Sequence, residues 1–530
     1  MSWNPAHPVY EQSLRTPERL ALAADGLELC YAELVERARR LGAALRDAGI
    51  GRGGQVGILA SRSRIAVEAV LGVAWSGAAW VPLGLRWPET RLVATLALVD
   101  LDAVIVDESG LDQLTPGVLA ALKRLFLPGV AAGADGLRAE GPTLLSLDAL
   151  PDGRDFSEPA RMSCTDLAYV IFTSGTTGVP KGVMVAAASV SAYLAALGRR
   201  KALTSDDRAS QFTELSFDPS LGEIFLPLRT GASLHVVPAL STVSPARFIR
   251  ERRLTVWGSA PAAIAWMRDT RSLAPGSLPS LRYTSFGGEP LALASVLAWQ
   301  AAAPNSVVDN LYGPTEATVD CAGQRVEPGA APILTPGRDI LAIGHPHPGT
   351  QLAVLGPDRR ALPAGEPGEL AIAGSQVSRG YLDAPELTAE RFPVIDGKRW
   401  YLTGDLALQD ASGVFHHLGR IDNQIKISGH RVELEDVEAH LRSAAGSDQV
   451  AAVAWPIEHG VARAIVGFVA GSALPPLLIR AALRRRLPSH MVPAAIHAVA
   501  ALPVGSTGKL DRRALIARLA AGEKASDESG

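Results

Sequence analysis

The run FTSGTTGVPKGV, Phe172 to Val183, packs four Ser/Thr hydroxyls and three glycines into a short span that closes on Pro180-Lys181-Gly182. Hydroxyls, glycine backbone N–H groups and a lysine in so short a span are the means by which a loop wraps an anion, above all a polyphosphate. The ordinary nucleotide template does not fit: G-x-x-x-x-G-K-[ST] needs glycine directly before lysine, and here Pro180 stands there. Nor does the chain carry G-x-G-x-x-G after a strand, H-E-x-x-H or G-x-S-x-G. Other compact groups of acids, glycines and aromatics follow in order: SFDPSLGE (Ser216–Glu223), FGGEPL (Phe286–Leu291), NLYGPTEAT (Asn310–Thr318), YLTGDL (Tyr401–Leu406), GRIDNQIKISGHRVE (Gly419–Glu433) and VGSTGKLDR (Val504–Arg512).

The elements that must position these groups read as alternating α/β. Leu29 to Ile50 has apolar residues at helical spacing. Gln55–Ala60, Ala79–Leu83, Asp102–Asp107 and Ala168–Thr173 are short apolar strands separated by helical stretches, which argues for a parallel sheet. The phosphate-loop candidate directly follows the last of them. Pro128–Thr143 reads as a Gly/Ala-rich loop. From about Ile333 to Gly374 short strands broken by Pro and Gly predict an all-β section, a small barrel. After Arg420 the pattern changes again: Ile425–Leu434 reads as one strand, Glu435–Ala444 as a helix, and Gln449–Ile457 and Ala462–Ala470 as strands. The predicted organisation is an α/β core with its β-barrel section over 1–420, a mobile α+β domain over 421–515 and a polar tail over 516–530.

Composition bounds the rest. A chain of 530 residues exceeds one core. With 47% apolar and 20% charged residues it is a folded protein, and a net charge of −3 gives no reason to expect nucleic acid or an anionic membrane. Three scattered cysteines and an N-terminus without a signal-peptide pattern predict a cytoplasmic protein. Ala69–Leu85, interrupted by Ser76 and Pro82, predicts a buried helix running into a strand rather than a membrane span.

The ordered motif set, from about Leu29 to Arg512, resembles the adenylate-forming superfamily, and specifically the adenylation domains of nonribosomal peptide synthetases. That resemblance implies ATP and Mg²⁺ as cofactors. Thr173, Ser174, Gly175, Thr176, Thr177, Gly178 and Lys181 would hold the β/γ phosphates while a carboxylate attacks the α-phosphorus. Lys509 resembles the family's catalytic lysine, worth roughly 100-fold or more in rate. Glu316 would ligate Mg²⁺, being a hard oxygen donor. Gly287, Gly288, Asn310 and Tyr312 would take the adenine side, Asp405 both ribose hydroxyls, and Arg420 ribose or phosphate. Asp422 matches the hinge about which the small domain turns to a thioester-forming pose. In that pose Lys509 leaves and the strand around Lys426 to Gly429 faces the site. The histidines read as structural or surface groups, with the alternative that His416-His417, just before the hinge, approach the nucleotide. One departure is plain: Ala186-Ala187-Ala188 stand where the family often carries a histidine.

Asp218 matches the aspartate that pairs with the α-ammonium of an amino acid, and a buried carboxylate beside a pocket calls for a cation. The same resemblance assigns Pro219, Gly222, Gly258, Thr284, Phe286, Leu311, Val319 and Asp320 to the side-chain pocket. Gly222 and Gly258 would deepen its floor, Phe286 and Leu311 narrow one wall, and Asp320 read a polar or basic group. The expected reaction is amino-acid activation as aminoacyl-AMP. Transfer follows to the phosphopantetheine thiol of a carrier protein acting in trans, since no G-G-x-S stretch follows Arg512. A small MbtH-like activator is a further implied partner. The alternative is an acyl-CoA synthetase acting on a small carboxylic acid, against which Asp218 weighs.

Overall fold

The computed structural model describes residues 3–128, 141–147, 150, 152, 156–174, 180–238, 241, 244–427, 429–458, 461–503 and 510–522. Among them, two large sheets organise the core. In the eight-stranded sheet, Ala79–Pro82 runs parallel to Gln55–Leu59 on one side and Leu167–Thr173 on the other. Ala103–Val106, Arg124–Leu127 and Thr143–Ser146 extend it in parallel. Lys181–Ala186 folds back antiparallel on Leu167–Thr173, so Thr173 and Lys181, which flank the phosphate-loop candidate, stand opposite each other. A nine-stranded sheet carries the parallel strands Leu20–Ala24, Ser233–Val236, Arg208–Gln211, Val256–Ser259, Tyr283–Gly287 and Val307–Tyr312, with antiparallel strands at both edges.

The Ala69–Leu85 run becomes the end of the helix Arg64–Ser76 and the strand Ala79–Pro82, joined at Gly77 in the left-handed conformation. Ser63 caps that helix by accepting the Ala66 N–H, and nearly every side chain on it is buried, because it packs between layers. Among the described residues no helix is long and apolar enough to cross a membrane.

The β-section is a five-stranded antiparallel sheet built around Gly368–Gly374 and Lys398–Gln409, with Phe415–Arg420 as its last strand. Beyond it stands a small α+β unit with its own apolar cluster, including Val432, Val437, Leu441, Ile479 and Leu483. Two details differ from the sequence reading. Ile425–Leu434 is not one strand but a hairpin, Gln424–Ile427 against His430–Glu433, turning where Gly429 takes φ +83°. The helix Arg512–Ala520 runs through the boundary placed at 515, because Leu515, Ile516 and Leu519 pack on Val453 and Phe468.

Candidate active site

The C-terminal ends of the core strands and the inserted hairpin enclose a cavity of about 460 Å³. Thr173 and Ser174 line it from the phosphate-loop strand, Asp218 and Pro219 from the start of the helix Pro219–Thr230, and Gly287, Gly288 and Tyr312 from two neighbouring strand ends. Asp405, Arg420, Lys426 and Gly429 complete it from the other side. Gly175, Thr176, Thr177, Gly178 and Lys509 lie outside the described residues. Lys181 opens the strand after the loop; burial lowers its ammonium pKa, and the charges of Glu433 and Glu316 act against that fall.

At one end the carboxylates are saturated by protein groups. Asp405 accepts a hydrogen bond from the Tyr312 hydroxyl and one from Arg420 Nη1 at 2.8 Å, and His417 Nε2 lies 3.4 Å away. Burial alone would raise this carboxyl; the His417 hydrogen bond and the charges of His417, Arg420 and Lys426 hold it far below the ordinary carboxylate range. Arg420 also grips Asp422 with two bonds, 2.8 and 2.6 Å, tying Asp405 to the hinge candidate. Of the two histidines that the sequence left open as neighbours of the site, His417 touches it through Asp405. Asn310 does not line the cavity: its amide nitrogen donates to the Ala342 carbonyl at 2.9 Å.

At the other end the carboxylates are open. Asp218 is buried, and its Oδ2 has no hydrogen-bond partner among the described residues. Burial and the Glu316 charge push its carboxyl up to about 6, against hydrogen bonds from Thr315 and Val319. Asp320, also buried, has no hydrogen bond to Oδ1 among the described residues, though His347 Nδ1 stands 3.3 Å from it; burial raises its carboxyl to about 7, against the Lys201 charge.

The pocket walls depart from the sequence assignment in two places. A Cβ on Gly222 would fall 2.4 Å from the Tyr193 hydroxyl, so Tyr193 fills the room that this glycine leaves and the floor is not deepened there. Thr284 bonds Ser306 Oγ at 2.7 Å and accepts from Trp299 Nε1 at 3.1 Å, on the face of its strand turned from the cavity. Phe286 lines the cavity beside Ser285, and its ring packs edge-on against the same Trp299. Gly258, Leu311, Val319 and Asp320 do line the pocket, together with Lys201 and Glu223, which the motifs did not mark. Lys201 donates to Ser285 Oγ at 3.0 Å, and Glu223 accepts from the Phe212 and Thr213 N–H groups at 2.9 Å. Gly313 is obligatory here: a Cβ would lie 2.4 Å from the Val319 carbonyl, so only glycine lets the Tyr312–Thr315 turn cross beneath Val319-Asp320.

A family model for AMP-binding enzymes matches residues 9–382. The chain belongs to the AMP-binding enzyme family. It is 36% identical over 520 residues to novobiocin biosynthesis protein H of Streptomyces niveus, covering 96% of this chain and 81% of that protein. It is also 32% identical to tyrocidine synthase 2 of Brevibacillus parabrevis, covering 95% of this chain but 13% of that much longer synthase. In three dimensions it is similar to the Vibrio cholerae adenylation domain AlmE, solved with glycyl-adenosine-5'-phosphate. The TM-score is 0.88 and the identity 30%, over 98% of each chain. Within the family the chain is thus an adenylation domain of the nonribosomal peptide synthetase type, a ligase, with the expected α/β fold.

Proposed function

We propose that the chain uses MgATP to activate an amino acid with a polar side chain and then passes the aminoacyl group to the phosphopantetheine thiol of a separate carrier protein in the cytoplasm. The observation that carries this reading is Asp218, a buried carboxylate opening on the cavity with one oxygen unpartnered among the described residues. An α-ammonium completes it; a fatty or aryl acid leaves it bare. The amino-acid carboxylate then lies between Asp218 and the Thr173–Lys181 segment, in line with the α-phosphorus. Tyr312 and Asp405 take the nucleoside. Lys509 neutralises charge as the carboxylate oxygen bonds to phosphorus and pyrophosphate leaves.

Glu316 suits Mg²⁺ on the chemistry of its donor. It is a buried carboxylate already facing a cation, Arg431, at 3.0 Å, so the site is built to hold positive charge. When bound, the metal would neutralise phosphate charge. Asp320, Lys201, Glu223 and Ser285 at the far end suit a side chain bearing hydrogen-bonding groups, foremost a donor for the open Asp320 oxygen.

The test is amino-acid-dependent ATP–pyrophosphate exchange across the standard amino acids plus basic and hydroxylated nonstandard ones, with and without an MbtH-like protein. One strong polar responder is expected; exchange driven by simple carboxylic acids, with CoA thioester as the product, would overturn the reading.

A further inference from the structure

Arg431 stands on the second strand of the small domain's hairpin, yet its guanidinium reaches into the core. Its Nη1 lies 3.1 and 3.0 Å from the two oxygens of Glu316. Its backbone carbonyl accepts a hydrogen bond from the Ser174 hydroxyl at 3.0 Å. From behind, the Tyr381 hydroxyl donates to Glu316 at 2.8 Å. Burial would raise the Glu316 carboxyl, but the Arg431 charge and the tyrosine hydrogen bonds keep it below the ordinary range. One residue of the small domain thus takes both the carboxylate read as the metal ligand and a hydroxyl read as a phosphate donor. The same hairpin is locked two residues earlier, where the Gly429 N–H donates to Glu289 of the FGGEPL motif at 2.5 Å.

Both claims on Glu316 cannot be met at once. A single guanidinium nitrogen, Nη1, bridges both its oxygens, and a divalent metal ligating them there meets that like charge at close range and competes with it. Conversely, a carboxylate this deeply enclosed is costly to leave without a cation, so whichever positive charge departs, another must arrive. We propose that Arg431 is a positioning residue for the second half-reaction: it seats the small domain's hairpin over the site by taking Glu316 from Mg²⁺. This rests on the reading of Glu316 as the metal ligand. Metal and pyrophosphate must then leave before the hairpin seats, and incoming MgATP unseats it, which orders the two half-reactions without any further signal.

The experiment uses the full chain with Mn²⁺ and α,β-methylene-ATP, with free Mn²⁺ read by electron paramagnetic resonance. Removing the internal competitor in Arg431→Ala is expected to tighten Mn²⁺ binding several-fold, with Arg431→Lys between it and the parent. In the same variant, transfer from preformed adenylate to a carrier's phosphopantetheine should fall about tenfold further than pyrophosphate exchange does. Unchanged or weakened Mn²⁺ binding in Arg431→Ala overturns the proposal. Should that variant not fold, Arg431→Lys carries the same test with the same sign. Glu316→Gln separates the two layers: it should abolish most Mn²⁺ binding, and affinity retained there would overturn the reading of Glu316 itself.

Discussion

The two ends of the cavity treat their carboxylates in opposite ways. Toward the nucleotide, Asp405 is closed: Tyr312, Arg420 and His417 crowd around it, and its proton affinity is driven down. At the end proposed for the amino acid, Asp218 and Asp320 each keep an oxygen without a hydrogen bond among the described residues, that of Asp320 with His347 Nδ1 3.3 Å away, and their carboxyls are driven up. The closed end is satisfied by the protein's own groups before any ligand arrives. The open end stores an electrostatic deficit that a cationic or donor-bearing substrate relieves, so its desolvation cost becomes selectivity.

Breaking a closed pair should therefore cost the fold, while altering an open one should cost only binding. The largest effect is expected behind the pocket, where Arg200 holds the fully buried Asp309 through two bonds of 2.5 Å. Arg200→Ala strands that carboxylate and should remove about 3–5 kcal/mol of stability in urea denaturation. Lys509, which the resemblance places between the two ends, comes next: Lys509→Ala should slow adenylate formation by roughly 100-fold or more while ATP still binds. Near-normal pyrophosphate exchange in that variant would remove the assigned role.

Asp218→Ala should raise the KM for the amino acid by roughly 10–100-fold, leave that for ATP nearly unchanged and not lower stability, since the open carboxylate is a burden to the ligand-free fold. A stability loss as large as that of Arg200→Ala would erase the distinction between closed and open. The smallest effect is a pH dependence. With its carboxyl at about 6, Asp218 is ionised at pH 7 and protonated below pH 6, where it no longer pairs with an ammonium. Amino-acid affinity should fall about tenfold from pH 7 to pH 5. Asp405, held far below the usual range, gives nucleotide binding no such slope over that interval.

The closed end was also the more legible in the sequence. Asp405, Tyr312 and Arg420 fall in contiguous motifs, and the strands that carry them were visible as short apolar runs. The phosphate-loop strand Leu167–Thr173 and its parallel neighbours emerged as read. The open end was less so, because its walls are assembled from residues distant in sequence. Lys201 arrives from the end of the helix Ala187–Lys201, and Tyr193 from the same helix fills the space at Gly222. Neither carries a motif signal. Thr284 was misplaced: it does not line the cavity, and its hydroxyl accepts from Trp299. The hairpin within Ile425–Leu434 had a visible cue in Gly429, a glycine interrupting a strand pattern, and that hairpin delivers Arg431 to Glu316.

If the open Asp218 oxygen awaits the substrate's ammonium, the amine itself must decide which acids react. The most direct test compares, in ATP–pyrophosphate exchange, the best amino acid of the panel with the carboxylic acid that has the same side chain and no amine. Exchange is expected with the amino acid and little with its desamino counterpart, and the discrimination should collapse in Asp218→Ala. Equal exchange by the two acids in the parent protein would contradict the role given to Asp218.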